Sequence, residues 1–428
     1  MSDTAYDVIV VGAGYAGLSA SYYLKKQGLS HIIFERGKIA ESWRSQRWDS
    51  FRMNSTNKLN LLPGMNCDAA DAEAFGTAAA FVSSLEQYVA THQLPVSENS
   101  KVISIEKRDD LFYVGVLSGE VVKNYLSRQV LIASGAANEI NIPSIAKNIP
   151  AGIKQLHASQ YRNANQLPAG AVLVVGGAQS GIQITEDLLN AGRKVYFSTS
   201  EVGRLPRWYR GKDIFDWMMK LKFYDIKAEE VKDPKLFELR PPHVSGTGNG
   251  RDSLSLQSVA KRGAVLLGKM DTTDGQNVFF QPNAAMHVKF ADEFSQKVKE
   301  LIDEYIQQQQ IEVPASHNDE ADIPDINAAS ATTITSLNLG DNNISSIIWS
   351  TGFGVDYNYI KMTVFDNNGK LIHKNGIPVV PGFYFLGYPW LFSRKSPILF
   401  GIIEDVKFVV DYICNYADKN DQPVTKTG

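Results

Sequence analysis

The 428-residue sequence predicts an α/β fold: two strand–turn–helix–strand units, each opened by a glycine-rich bend, with a small antiparallel excursion between them. Three observations carry this. VIVVGAGYAGLSA at residues 8–20 is an apolar, β-branched burst, a glycine bend and a helix-like run. VLVVGGAQSGIQI at residues 172–184 spells the same order a second time. Between them, residues 101–135 alternate polar and apolar positions, the period of antiparallel strands with one wet face.

Taken in order, Tyr6 to Val11 is an apolar run apart from Asp7, as expected of a strand buried on both faces of a parallel sheet. Leu18, Tyr22, Leu24 and Leu29 follow at helical spacing up to Gly28, and HIIFERG is the next strand, which completes a βαβ unit. The excursion turns at Asp109-Asp110 and Ser118-Gly119 and returns through VLIASGA. Residues 136–170, rich in Pro, Asn and Ala, read as a linker to the second unit, whose second strand is RKVYFSTSE. Residues 291–310 predict an amphipathic helix with Asp292 as N-cap and Phe294, Val298, Leu301, Ile302, Tyr305 and Ile306 on its inner face. HNDEADIPDINAAS is a loop, ISSIIWSTGF and GFYFLGYPWLF are strands, and residues 399–416 form a helix with Ile402, Val406, Val409, Val410 and Ile413 inward.

Composition narrows the function. A formal net charge of -3 without like-charge blocks argues against nucleic acid or an anionic membrane surface as partner. The two cysteines, Cys67 and Cys414, lie far apart, which fits a reducing compartment and excludes a CxxC redox pair. No apolar stretch reaches 18 residues, and the N-terminus carries no basic leader, so the expectation is a cytoplasmic protein without a membrane partner or a metal site.

The glycine bends carry the chemistry. In G-x-G-x-x-G the first glycine makes the turn, the second admits a pyrophosphate, the third packs helix on strand, and the helix N-terminus holds the phosphates. Gly12, Ala13, Gly14, Tyr15, Ala16 and Gly17 satisfy every position, and Glu35 ends the next strand where an acid holds the ribose hydroxyls of an adenosine. Gly176, Gly177, Ala178, Gln179, Ser180 and Gly181 keep the first and third glycines and place Ala178 at the second. Two Rossmann-like dinucleotide-binding domains suggest FAD, held permanently, and a visiting nicotinamide. Ser198 and the nearby Arg204 and Arg207 suit a 2′-phosphate, which favours NADPH over NADH.

On VIVVGAGYAGLSASYYL, FERG, ESWRSQRWDSFRMNS, VLIASGA, VLVVGGAQSGIQITEDL, GRLPRWYRGKDIFDW, WSTGF and GFYFLGYPW, the chain resembles the class B flavin-dependent monooxygenases, and most of all the CzcO-like group. The resemblance covers nearly the whole chain. It implies an FAD domain (1–165 and 336–428) interrupted by an NADPH domain (166–335). It also implies reduction of FAD by NADPH, capture of O₂ as a flavin peroxide adduct, and transfer of one oxygen atom to a small organic substrate by N- or S-oxygenation or Baeyer–Villiger-type insertion. Arg36, Trp43, Arg44 and Arg52 are flavin neighbours on the same basis. The family's linker motif FxGxxxHxxx plus an aromatic is half kept. His157, the catalytic candidate, and Tyr161 are present, while Ala151 and Ile153 replace the Phe and Gly. The Baeyer–Villiger signature keeps Trp43 but has Glu41, Asp49 and Asn54 at its Gly, Pro and Asp positions. A flavin oxidoreductase or oxidase without oxygen transfer is the alternative, and a non-enzymatic flavin sensor a third reading. An apolar substrate wall is expected from Trp208, Tyr209, Phe215, Trp217, Tyr388, Trp390 and Phe392. The oligomeric state is left open.

Overall fold

The computed structural model describes residues 5–238, 241–244, 252–316, 318–329, 333–374 and 376–421. Two sheets organise them. In the first, Tyr6–Val11 runs parallel to His31–Phe34 on one side and to the end of Val121–Ile132 on the other. Val8, Ile9 and Val10 are fully buried there, which is what a strand flanked on both edges and covered on both faces demands. Val121–Ile132 is shared between two layers of pairing. Its residues 121–127 form an antiparallel meander with Leu111–Ser118 and Ser100–Arg108, and residues 130–132 run parallel to Phe383–Phe385. The expected antiparallel excursion is therefore present, and its turns fall at Asp109 (φ 52°) and Gly119 (φ 61°).

The second sheet has five strands, all parallel, in the order Val265–Leu267, Val195–Ser198, Ala171–Val175, Ile344–Trp349, Lys154–His157. Lys154–His157 corrects the reading of residues 136–170 as a linker. It is an edge strand, paired on one side only, so it needs no continuous apolar run and its Lys-Gln-Leu-His sequence carries none.

Three further expectations move. The amphipathic helix is Ala284–Gln308, with Asn283 rather than Asp292 at its start. Its buried face runs through Ala284, Val288, Ala291, Ser295, Val298 and Ile302 in steps of three and four, so small residues extend the stripe two turns upstream. Leu301 falls off that stripe and is 53% exposed. In GFYFLGYPWLF only Phe383–Phe385 is strand, and the chain turns at Gly387, which takes a positive φ two residues beyond its end. The loop at 317–330 contains a short helix, Ile326–Ala329, and its ends lie partly outside the described residues. The C-terminal helix, Leu399–Asp421, lies against Tyr15–Lys26 and buries Ile402, Val406, Val409, Val410 and Ile413 in the core they share. No helix among the described residues is long and apolar enough to cross a membrane.

Both glycine bends fall at a strand end followed by a helix, Tyr15–Lys26 in the first sheet and Gln179–Asn190 in the second. A Cβ on Gly17 would lie 2.0 Å from the carbonyl oxygen of Gly12, and one on Gly181 would lie 1.9 Å from that of Gly176. Backbone occupies both places and neither can yield. Gly17→Ala is expected to cost about 3 kcal/mol in urea-unfolding free energy, the upper end for overpacking. Gly14→Ala, where no atom lies within 4 Å of the added carbon, should leave it unchanged.

Candidate functional site

Gly12 turns the chain with φ 107° and presses its α-carbon toward the Ala133 carbonyl, 2.6 Å from where a Cβ would sit. Gly14 opens instead onto empty space. The helix that follows has no side-chain cap and no acid in its first turn, so its free N–H groups and dipole are left for an anion. Glu35, buried, ties the bend to the neighbouring strand: Ala13 N–H donates to Oε2 and Gly37 N–H to Oε1, each at 2.9 Å. Burial raises its pKa and those two donors oppose the rise. Each carboxylate oxygen keeps a second lone pair for a ribose hydroxyl.

A cavity of about 490 Å³ lies over this bend, within the usual range for cofactor pockets. Gly12, Gly14, Tyr15, Ala16, Glu35, Arg36 and Trp43 line it, as expected from the sequence. Ala13 and Gly17 support it from behind. Arg44 turns away to the surface and pairs with Glu86 at 2.6 Å, and Arg52 bridges to Thr77 rather than lining the cavity. Arg47, not singled out from the sequence, stacks on Trp43 with its guanidinium carbon 4.6 Å from the ring centre. Sequence reasoning also missed other parts of the wall, among them Ser134 to Glu139, Tyr359, Leu386 and Ile402. The signal was available in outline, since Ser134 and Leu386 follow the C-terminal ends of neighbouring parallel strands, where open α/β sheets bind ligands.

The second bend repeats the first. Gly176 has φ 114°, and Ala178 (φ -80°, ψ -177°) has nearly the dihedrals of Gly14 (φ -86°, ψ -174°). Alanine is therefore unstrained there, and its methyl group is what distinguishes the two bends at the middle glycine position. This helix too starts without a side-chain cap or an acid. A segment from farther along the chain lies against the bend: His243 Nε2 donates to Gly177 O at 2.5 Å, and Val244 N–H donates to Gln179 Oε1 at 2.7 Å. Gly177 N–H donates to Ser200 Oγ at 3.1 Å.

The residues expected at a 2′-phosphate are engaged by the chain itself. Ser198 donates to Gly268 O at 2.9 Å. Arg204, 2% exposed, pairs with Asp292 and Asp322 at 2.9 and 2.7 Å. Arg207, fully buried, pairs with Asp213 at 2.5 Å, donates to Asn54 O and lies over the Phe75 ring. Their partners lie up to 153 residues away in sequence. Ser180 sits half-buried in the first turn of the second helix.

His157 is fully buried and does not line the first cavity. Because the Gly352 carbonyl can only accept, Nε2 carries the proton and donates to it at 2.9 Å, while Nδ1 accepts from Ser159 N–H at 3.2 Å. Burial lowers its pKa, which keeps this neutral form. Nearby, Asp187 accepts from Ser50 at 2.5 Å and from Tyr161 at 2.6 Å, so it links residues 45–54 to the second helix. Of the expected aromatic wall, Tyr388, Trp390 and Phe392 line a second cavity, whereas Tyr209, Phe215 and Trp217 are buried in a separate hydrophobic cluster. Trp208 pairs in a two-stranded turn opposite Asp213. No group of three or more His, Cys, Asp or Glu side chains able to hold a metal occurs among the described residues.

The pyridine nucleotide-disulphide oxidoreductase family matches residues 9–208. The uncharacterized oxidoreductase CzcO of Bacillus subtilis is 30% identical over 409 residues, covering 95% of this chain and 98% of that protein. The probable indole-3-pyruvate monooxygenase YUCCA10 of Arabidopsis thaliana is 29% identical over 223 residues, 51% of this chain and 57% of that protein. Among solved structures, a flavin-containing monooxygenase from Stenotrophomonas maltophilia superimposes with a TM-score of 0.63 at 18% identity, covering 96% of this chain and 99% of that one.

Two outcomes test these placements. Arg207→Ala leaves Asp213 buried without its partner and is expected to lose about 3–5 kcal/mol of stability in urea unfolding. A stable Arg207→Ala protein with only a raised KM for NADPH would instead return that arginine to the phosphate. Burial pushes the His243 pKa down to about 4. Between the ordinary histidine value and that one, only the unfolded chain takes the proton, so stability falls as pH falls through this window. On going from pH 7 to 4.5, urea midpoints should show wild type losing on the order of 2 kcal/mol more than His243→Gln.

Proposed function

Because the chain belongs to the CzcO-like oxidoreductases of the class B flavin-dependent monooxygenase family, we propose that it is an FAD-dependent, NADPH-driven monooxygenase acting on a small organic substrate. The observation that carries this reading is the duplicated cradle: two bends of nearly identical dihedrals, each ahead of an uncapped helix, with a cavity over the first. FAD, when bound, would supply the redox chemistry: uptake of hydride from NADPH and reaction of the reduced flavin with O₂. The overall balance is substrate, O₂, NADPH and a proton giving oxygenated substrate, water and NADP⁺. Oxygen transfer to nitrogen or sulfur, or insertion beside a carbonyl, is the class of chemistry.

The chain's own residues supply binding, orientation and shielding. Gly14 and the N–H groups at the start of Tyr15–Lys26 would hold the FAD pyrophosphate, and Glu35 the ribose hydroxyls. Trp43, Leu386 and Ile402 give the cavity apolar cover against water. Gly176 to Gly181 would receive NADPH, with the Ala178 methyl narrowing the approach. His157 serves as a positioning residue that fastens residues 157–159 to Gly352. In this reading residues 1–165 and 336–428 form the FAD-binding part and 166–335 the NADPH-binding part.

Rapid mixing of the NADPH-reduced, anaerobic protein with oxygenated buffer tests the proposal. A spectral species distinct from reduced and oxidised flavin, lasting well beyond mixing, is expected. Direct return to oxidised flavin with stoichiometric hydrogen peroxide would replace the oxygenase with an oxidase or reductase.

A further inference from the structure

The second cavity, of about 1690 Å³, is walled on one side by a single stretch of chain: Asp225, Lys227, Ala228, Glu229, Pro234 and Phe237 all line it. No residue from 225 to 237 is buried. Both flanks are anchored. Tyr224 is 8% exposed and packs on Phe215 and Phe400, with ring centres 6.0 and 5.2 Å away. His243 and Val244 are held on the second bend through Gly177 and Gln179. A stretch without buried side chains between two anchored flanks has little apolar packing to hold it, which is the condition for local opening.

The contacts that fasten it can be named. Ala228 N–H donates to Phe392 O and Arg394 N–H to Ile226 O, each at 3.0 Å. Asp225 pairs with Lys395 at 2.7 Å, but its side chain is 48% exposed, and an exposed pair adds little. The aromatic contact is between Phe237 and Trp390, edge to face with ring centres 4.9 Å apart. Trp390 is strained. Leu391 N–H donates to Tyr388 O at 3.2 Å and closes a turn with Pro389 in second place and Trp390 in third, where Trp390 takes φ 56°. Gly or Asn usually fills that place when φ is positive, and a bulky side chain there is an outlier. Such strain persists only where the surroundings hold it, and it clusters at ligand clamps and switch regions. Here it presents the indole to Phe237.

We propose that residues 225–237 form a strap, hinged at Tyr224, that swings off the second cavity, with Trp390 as its catch. Swinging away removes one wall, while those on residues 366–374, 388–395 and 404–408 stay. Lys395 keeps Glu404 as its partner, at 2.8 Å, when Asp225 leaves. The cavity thus alternates between a narrower and a wider form, and an occupant enters and leaves on the side of the strap. The inference stands on contacts within the chain and needs no turnover, so it and the oxygenase reading can fail separately.

Site-resolved hydrogen–deuterium exchange of the flavin-loaded protein, with and without sub-denaturing urea, decides it. The Ala228 and Arg394 amides are expected to share one protection factor, at least about a hundredfold below that of Val10 in the first sheet and insensitive to urea. Trp390→Gly relieves the turn and removes the catch, so both factors should fall at least about tenfold while Val10 is unchanged. Phe237→Ala, at an exposed side chain, should do the same, and Trp390→Phe, which keeps a ring for Phe237, should lose less than about threefold. Exchange of the two amides only together with Val10, or different responses of the two to urea, overturns the strap. Protection unchanged in both Trp390→Gly and Phe237→Ala overturns the catch. An equal fall at Val10 overturns it too, because the contact then stabilises the whole fold. Should Trp390→Gly not fold, Phe237→Ala decides alone.

Discussion

The rest of the structure depends on a contact with no side chain in it: the third glycine of each bend lying against the carbonyl of the first. At 2.0 and 1.9 Å from a would-be Cβ, these contacts admit hydrogen only. They fix how closely each helix can follow its strand, and so where the free N–H groups at each helix start point. Everything that makes the site is arranged around the direction so set. Glu35 buttresses the first bend from the adjacent strand, and Ser200 does the same for the second through Gly177. The middle position is the only one of the three glycine places free of this constraint, and there the two bends differ.

The parts of the fold that local pattern controls were legible. Tyr6–Val11 was readable because its inner part, Val8 to Val11, is flanked on both edges and has no polar position. The meander was readable because its turns need residues that tolerate positive φ, and Asp109 and Gly119 provide them. Lys154–His157 was not, since pairing on one edge leaves little pattern in four residues. The arginines show a deeper limit. A sequence window shows that Arg204 and Arg207 follow the second strand, but not that Asp292, Asp322 and Asp213 claim them. The first cavity was half legible for the same reason. Its bend and Glu35 are local, whereas Leu386 and Ile402 arrive from the far end of the chain.

The two sheets are joined by polar groups as well as by a common core. Asp187 takes hydrogen bonds from Ser50 and Tyr161, and Arg207 reaches Asn54. Residues 45–54, which follow Trp43 of the first cavity wall, thus hold the second helix and the Arg207 segment. Two acceptors of one aspartate satisfied by two hydroxyls make a directional joint, unlike apolar packing, which slides. Ala178 and the His243 segment sit on the second side of that joint, which is the NADPH side in the proposed reading.

The long strand Val121–Ile132 has a division of labour along its length. Its C-terminal third is locked between two parallel neighbours beside the first cavity, while its N-terminal half carries a hairpin whose tip leaves Val121 and Val122 more than half exposed. The hairpin is thus an appendage on a load-carrying beam, distant in register from the end beside the first cavity. Lengthening, shortening or grafting a foreign segment at Gly119-Glu120 alters the free end alone, which makes this tip the natural attachment point for a tether or a fused domain.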